Sequence, residues 1–410
     1  MISVGSVFKE FENFFQFDRN YNFYESSPLL SNDPTLLLTN STISFFKNSM
    51  VLNNKINKVA LAQLCFRTAQ KVNSYPYSFT MLGVSADIEH LTPSYDDIVS
   101  FLMRCGIPKS KLHVILNKND DLLIKATRTK FKSNQIHYLD NNNNKYYVRW
   151  KFGNKELSGN GLTIAANLNE NESDILNESF VPLGNIILVS NTNGQNYIDI
   201  GFGAECILSY FFNGDIFLTP FYNKQIEALK EIEWLHNNEK FTLKILHGLF
   251  VLFSEKILPG NKREEYIATK IQNQLFSLLC KLNKNTTDID LLIKKIEQFY
   301  SSDERKLLID YCLLLKINFE KYQKSINVNF VKAKKLVSSL FKKKIESINI
   351  KQIIQATFGL PSETIEVMMQ NINKNDTNKI TPVVIYNNLS TINSYNNQRF
   401  PLKFINIYRS

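Results

Sequence analysis

The sequence predicts an α+β fold in which an antiparallel sheet flanked by helices is followed by an all-α helical domain. Up to residue 222, alternating or continuously apolar segments typical of strands are mixed with a few helical ones. After residue 222 glycine becomes rare, and successive segments all show helical periodicity. A chain of 410 residues is too long for one compact core. We therefore expect two domains, at residues 1–235 and 236–410.

Three segments near the start of the chain are assigned individually. A first helix is predicted over residues 6–15, where phenylalanines recur at helical spacing behind Ser6 as a cap. The apolar run 36–38 predicts a short buried strand. A cap signal at Ser94 predicts a second helix, and Gly106 should end it.

The remaining elements follow from periodicity. Four strands are predicted in segments that alternate or run apolar between polar turns, at 111–117, 146–152, 184–191 and 195–201. Five helices are predicted in the second domain, at 225–236, 243–257, 265–282, 289–300 and 306–322.

Charge is distributed unevenly along the chain. Residues 1–240 contain 22 Lys and Arg against 24 Asp and Glu, whereas residues 241–410 contain 26 against 14. A neutral domain joined to a basic one indicates that the second domain meets a polyanion, and tRNA or another RNA is the partner we predict. The alternative is a solvated helical surface in a lysine-rich sequence. One stretch with an apolar face is especially basic and contains Lys321, Lys324, Lys332, Lys334, Lys335, Lys342, Lys343 and Lys344.

Several classes of protein are disfavoured. No apolar run approaches the roughly 20 residues that span a bilayer, and the N-terminal residues lack a secretory or transit signal, so we expect no membrane partner. The five cysteines are scattered without paired spacing. This pattern favours reduced thiols and a cytoplasmic location, and it predicts neither a disulfide framework nor a bound metal.

Specific strings resemble the alanyl-tRNA synthetase family, in order, over nearly the whole chain. The resemblance includes residues 26–41 at the region of class II motif 1, 63–70 and 78–83 at motif 2, and 197–208 at motif 3. Residues 148–161 and 183–191 match segments between these motifs, and 258–270 and 357–361 resemble the tRNA-recognition helices. The resemblance implies a class II synthetase sheet, a small amino acid as ligand, and ATP with Mg²⁺ if the protein is catalytic.

The resemblance also implies roles for individual residues. Arg67 corresponds to the catalytic arginine that contacts the α-phosphate of ATP, and Asp199 to the carboxylate that binds the substrate amino group. Asn261 corresponds to a residue that contacts RNA. The other residues of the implied amino-acid pocket are Asn185, Trp150, Gly201 and Gly203.

This sequence departs from the family at several positions. Cys206 replaces the motif 3 arginine that stacks on adenine, and Thr80 replaces a motif 2 glutamate. Thr163 replaces an acid in the glycine-rich segment, and Ala356 replaces an aspartate that reads the tRNA acceptor stem. We therefore predict a stand-alone paralogue that binds an aminoacyl-adenylate-like or aminoacyl-tRNA-like ligand and has diverged from housekeeping aminoacylation.

Three other functions stay open, and with them the question of whether the protein is an enzyme. The first is a degenerate but active alanine–tRNA ligase. The second is a tRNA-independent ligase that activates an amino acid and passes it to a small amine or a carrier protein. The third is a non-catalytic scaffold subunit.

Overall fold

The structure is a computed structural model of the chain. It describes residues 3–24, 26, 28–31, 33, 35–68, 75–139, 146, 149–152, 156–343, 345–358, 360, 365, 366, 368 and 369. The described residues form two compact units that divide between Lys224 and Gln225. The domain boundary placed at residues 235 and 236 stays a prediction.

The first unit is built on a sheet that has nine strands in the described part of the chain. The strands are β1 (Asn22–Tyr24), β2 (Val59–Phe66), β3 (Ser78–Asp87), β4 (Leu112–Asn117), β5 (Ile136–Leu139), β6 (Arg149–Phe152), β7 (Leu157–Asn167), β8 (Phe180–Asn191) and β9 (Asn196–Gly203). Their order is β1-β2-β3-β9-β8-β7-β4-β5, and β6 pairs with β7. All pairs are antiparallel except β1 with β2 and β4 with β5, at the two edges. The predicted antiparallel sheet is confirmed.

Helices cover one face of this sheet. They are α1 (Val4–Glu12), α3 (Leu91–Arg104) and α4 (Asp121–Arg128), whereas α2 (Ile43–Val51) packs on the other face and α5 (Ala204–Ser209) directly follows β9. Side chains alternate between the faces of a strand. In β9 this alternation sends Ile198, Ile200 and Phe202 into the main core. The intervening residues of β9 are therefore on the opposite face.

The two helices predicted near the start of the chain are confirmed, but their predicted caps are wrong, and so is the short strand. The first helix is capped by Ser3, whose side chain and that of Ser6 each accept the other's backbone N–H in a capping box, so the helix begins at Val4. No strand is described at 36–38, where Leu38 forms only an isolated antiparallel bridge with Leu30. The Asp33 carboxylate accepts the Thr35 N–H and turns the chain just before this segment. The second helix begins at Leu91.

The buried Ser94 is inside that helix, where its hydroxyl accepts a hydrogen bond from Tyr21. It is therefore engaged in tertiary packing and does not cap. The predicted stop is confirmed, since α3 ends at Arg104 and Gly106 has a left-handed φ of 94°.

The second unit is all-α among its described residues, as predicted. Its helices, with α6 crossing the division between the units, are α6 (Pro220–Lys230), α7 (Glu239–Ser254), α8 (Arg263–Lys281), α9 (Thr286–Glu297), α10 (Ser302–Lys342) and α11 (Ser347–Phe358). A capping box between Ser301 and Glu304 starts α10, which continues for 41 residues through the lysine-rich stretch. Its C-terminal half packs against α11.

Candidate functional site

The centre of the sheet brings together most of the residues assigned to the amino-acid pocket. In the register of the strands, Ser85 of β3 lies beside Asp199 of β9, and Asn185 of β8 lies beside Gly201. Directly paired residues of an antiparallel sheet project from the same face. Asp199, Gly201 and Gly203 are on the face opposite the main core, which is the face on which α2 packs.

Asp199 is a buried carboxylate with a single hydrogen-bond donor described beside it. Its side chain is 3% exposed, and the Ser85 hydroxyl donates to its Oδ1 at 3.0 Å. Burial raises the pKa of Asp199 to about 7, and the hydrogen bond from Ser85 opposes this only in part. A cationic group placed against Asp199 would favour the ionised form of its carboxyl group. The site is therefore suited to an ammonium ligand.

Asn185 is oriented by its neighbour on β7. The Thr163 hydroxyl donates to the Oδ1 atom of Asn185 at 2.8 Å. With Oδ1 turned toward Thr163, the Nδ2 group of Asn185 is the donor on the other side of the amide. Thr163 occupies a position where the resemblance implies an acid. Here a neutral hydroxyl orients the amide instead.

Trp150 forms one side of this region. Its indole lies so close to β7 that a Cβ atom on Gly161 would be 2.7 Å from the Trp150 Cζ3 atom. Gly161 pairs with Ile187, and Ile187 pairs with Asp199. Trp150 is therefore two strands from Asp199 and packs on an apolar cluster that includes Ile187. Its position is compatible with the predicted role as a pocket wall.

Arg67 is held immediately after β2. Its backbone N–H donates to the Tyr77 carbonyl at 2.8 Å, and its guanidinium donates through Nε and Nη2 to the Asn40 carbonyl at 3.3 and 3.0 Å. The guanidinium also lies over the Phe79 ring, 5.0 Å from its centroid. These contacts fix a planar cation beside an aromatic ring, an arrangement that suits a phosphorylated ligand with an aromatic base.

Glu205 and Thr80 form a second buried contact. Both carboxylate oxygens of Glu205 accept the Thr80 backbone N–H, at 2.9 and 2.8 Å. Burial raises the pKa of Glu205 to about 8. The contact ties the start of α5 to β3.

Cys206 follows Glu205 and lies close to the end of β9. A Cβ atom on Gly203 would be 2.8 Å from the Cys206 Sγ atom, so glycine is needed for this approach. Burial raises the pKa of the Cys206 thiol to about 12, with Glu205 adding to the rise and Arg67 opposing it. At neutral pH the thiol is protonated, which argues against Cys206 as a nucleophile.

Three contributors to this face were missed from the sequence as site residues. Ser85 orients Asp199, Phe79 lies against Arg67, and Thr163 orients Asn185. The sequence pattern that could have identified them is the two-residue alternation along β3 and β7, which puts residues 79 and 85 on one face of β3. That alternation identifies partners only when the strand register is known.

Replacing Glu205 by Gln should change how stability depends on pH. The folded protein keeps a proton on Glu205 until about pH 8, whereas a glutamate in the unfolded chain ionises near its ordinary pKa of 4.5. The unfolded state therefore binds fewer protons between these values, and the free energy of unfolding falls as pH rises. At about 1.4 kcal/mol per pKa unit, Glu205 contributes up to about 5 kcal/mol of this fall.

Urea unfolding at pH 5 and pH 8 measures the difference. Glu205→Gln should lose much less stability between the two pH values than the wild type, and the exposed-site control Glu178→Gln should behave like the wild type. Equal losses in wild type and Glu205→Gln would contradict the assignment.

The residues assigned to RNA contact are in the second unit. Lys321, Lys324, Lys332, Lys335, Lys342 and Lys343 are exposed on α10 or at its end, and Lys334 is half-buried. Asn261 is exposed in the turn before α8. Lys344 and the side chain of Ala356 lie outside the described residues.

The described residues contain neither a membrane-spanning helix nor a metal-binding cluster. None of the helices combines the length and apolarity needed to cross a bilayer. No group of three or more His, Cys, Asp or Glu side chains in this part of the chain is arranged to hold a metal ion. An Mg²⁺ ion that arrives with a nucleotide needs only one or two protein carboxylates, so this finding concerns resident metals.

Solved structures similar to this chain include aminoacyl-tRNA synthetases. The S. aureus histidyl-tRNA synthetase has a TM-score of 0.34 at 12% identity, over 50% of this chain and 65% of that one. The pyrrolysyl-tRNA synthetase from Desulfitobacterium hafniense has a TM-score of 0.34 at 9% identity, over 54% and 74%.

Curated proteins similar in sequence are alanine–tRNA ligases, although no family model matches the chain. The ligase of Buchnera aphidicola subsp. Schizaphis graminum is 25% identical over 309 residues, which is 66% of this chain and 35% of that protein. The ligase of Blochmanniella floridana is 22% identical over 415 residues, which is 88% of this chain and 46% of that protein. The chain thus spans less than half the length of these relatives. Its resemblance to the alanyl-tRNA synthetase family is confirmed, at low identity, over about two thirds of the chain.

Proposed function

We propose that this protein binds an aminoacyl-adenylate-type or aminoacyl-tRNA-type ligand at Asp199, on the face of its sheet opposite the main core, and has diverged from housekeeping aminoacylation. The observation that carries the proposal is the buried Asp199 carboxylate, which a hydroxyl from Ser85 orients and which has a pKa of about 7. A buried carboxylate is strongly stabilised by an ammonium partner. The α-ammonium of a small aminoacyl group is such a partner.

The other residues of the face extend this binding mode along the ligand. The amide of Asn185 donates a hydrogen bond to the aminoacyl group, and Trp150 limits the volume available to its side chain. Arg67 neutralises the phosphate that links the acyl group to the nucleoside. Phe79, beside Arg67, provides an apolar surface for the base.

Divergence is supported by the surroundings of Arg67. Thr80 replaces a glutamate and gives its backbone N–H to Glu205, and Cys206 carries a protonated thiol in place of an arginine. Removing one charged contact to a reacting phosphate costs about 2–4 kcal/mol of transition-state stabilisation. Arg67 fits the α-phosphate of ATP, but the motif 3 arginine that the resemblance implies is Cys206. We therefore favour binding over efficient adenylate formation.

RNA is the second partner in this proposal. The exposed lysines of α10 form a basic surface in the helical unit, and phosphate contacts position an RNA without specifying its sequence. Recognition of one particular tRNA is not required for this contact.

Two measurements test the proposal. Calorimetry should detect 1:1 binding of a non-hydrolysable alanyl-adenylate analogue with a sulfamoyl link, and pyrophosphate exchange scanned across the amino acids should be undetectable. Absence of analogue binding would overturn the proposal and favour a scaffold. Alanine-dependent exchange would instead favour an active alanine–tRNA ligase. Exchange with another amino acid would favour a tRNA-independent ligase.

A further inference from the structure

The exposed lysines of α10 are aligned on one side of the helix. With 3.6 residues per turn, six of them fall within an arc of about 100°. The opposite side of the same helix is buried against α11 through Ile326, Phe330, Ala333 and Val337. We call the six residues the lysine stripe: Lys321, Lys324, Lys332, Lys335, Lys342 and Lys343.

The lysine stripe is regularly spaced. Lys321, Lys332 and Lys343 are separated by 11 residues each, as are Lys324 and Lys335. Eleven residues make just over three helical turns and rise about 16 Å, so each step returns to the same side of the helix. The whole stripe extends over about 33 Å. It is a straight row of cations on one continuous helix.

The composition of this face is also distinctive. Between positions 321 and 343 there is no acidic residue. The aromatic residues in that range, Tyr322, Phe330 and Phe341, belong to the packed cluster with α11. The side chains exposed between the lysines include those of Val328 and Val331, at 52% and 56%.

We propose that the lysine stripe binds the phosphate backbone of double-stranded RNA. This inference deepens the proposed RNA contact and rests on it. A rigid row with a fixed repeat matches a duplex, whose phosphates are regularly placed and which proteins recognise mainly by shape and backbone. Proteins that bind single strands use exposed aromatic side chains for base stacking, and bidentate readout of adenine relies on Asn or Gln. The described residues of the stripe supply neither.

A membrane surface fits the stripe less well. Helices that lie in a bilayer interface bury a broad apolar face with Trp, Phe or Leu beside their basic residues. On α10 the broad apolar face is already occupied by α11, and two valines are the apolar residues exposed among the lysines of the stripe. The charge complementarity is therefore to a polyanion in solution.

The test compares an RNA duplex of about 20 base pairs with one of its strands, by filter binding of the full chain between 50 and 200 mM salt. The stripe variant carries Lys→Gln at 321, 324, 332 and 335. The control carries Lys→Gln at 55, 118, 125 and 132, which are exposed lysines of the first unit. Both variants lose four charges, so net charge is matched.

The wild type should bind the duplex at least tenfold more tightly than the single strand. The stripe variant should lose at least tenfold in duplex affinity, and the slope of log affinity against log salt should flatten by up to about four. The control variant should keep the wild-type slope. Circular dichroism and thermal melting confirm that both variants are folded.

The outcomes separate the two proposals. If no RNA of either form binds, the proposed RNA contact itself fails. If RNA binds but the stripe variant behaves like the control, the RNA contact survives and the stripe inference fails. Equal or tighter binding of the single strand overturns the duplex assignment. Binding of phosphatidylserine vesicles that depends on the stripe, without RNA binding, would indicate a membrane surface instead.

Discussion

Asp199→Asn is expected to abolish binding of any ligand that presents a free α-ammonium to the face of the sheet opposite the main core. The substitution keeps the shape of the side chain and an oxygen that can accept the Ser85 hydrogen bond. It removes the negative charge from a site that is 3% exposed. Breaking a buried ion pair by neutralising one partner costs about 3–5 kcal/mol, which is a loss of about 10²–10⁴-fold in affinity.

The ligand provides the sharpest control for this prediction. A sulfamoyl-adenosine carrying a propionyl group lacks the ammonium, and its affinity should be the same for wild type and Asp199→Asn. Asp97→Asn makes the same chemical change at a buried aspartate of α3, where the partners are Tyr21 and Arg19, and should leave ligand binding intact. If Asp199→Asn still bound the alanyl analogue, the assignment of Asp199 as the ammonium site would be contradicted.

Ser85 explains why the pocket could be only partly predicted from the sequence. The resemblance to the family identified Asp199, but the hydroxyl that orients it comes from a residue 114 positions earlier in the chain. Such pairs depend on strand register, which a single sequence does not determine. Thr163 and Phe79 are also brought to the site by sheet pairing.

Periodic sequence patterns predicted helices more accurately than single-residue signals predicted caps and turns. Helical periodicity correctly located α7, α8, α9 and the first half of α10, because a buried stripe requires apolar residues every three or four positions. It placed α6 several residues too late and did not predict α11. Ser94 is of a residue type that commonly caps helices. Its hydroxyl lies inside α3, however, and accepts a hydrogen bond from Tyr21. The run at 36–38 is apolar, yet the Asp33 carboxylate accepts the Thr35 N–H and turns the chain just before the run. In both cases a side-chain hydrogen bond outweighs the pattern.

Cys206→Arg is expected to tighten ATP binding by an amount between about two-fold and 30-fold. The substitution restores the residue that the resemblance implies, and a guanidinium stacked on adenine is worth about 0.5–2 kcal/mol before any contact with the γ-phosphate. Cys206 is half-buried at the first turn of α5, close enough to Arg67 for that charge to lower the pKa of its thiol. A second cation there would face Arg67, so the polyphosphate would relieve their repulsion.

The increase in ATP affinity should depend on both the planar group and the charge of the new side chain. Cys206→Lys supplies the charge without the stacking plane and should recover less, whereas Cys206→Ala should bind ATP as weakly as the wild type. Nucleotide titration with Mg²⁺ measures all four proteins, and AMP should gain less than ATP because it lacks the outer phosphates. Restored alanylation is not expected, since Thr80 and Ala356 remain. Tight, Mg²⁺-dependent ATP binding by the wild type would show that Cys206 does not limit the nucleotide site, and an active ligase would then be the better description.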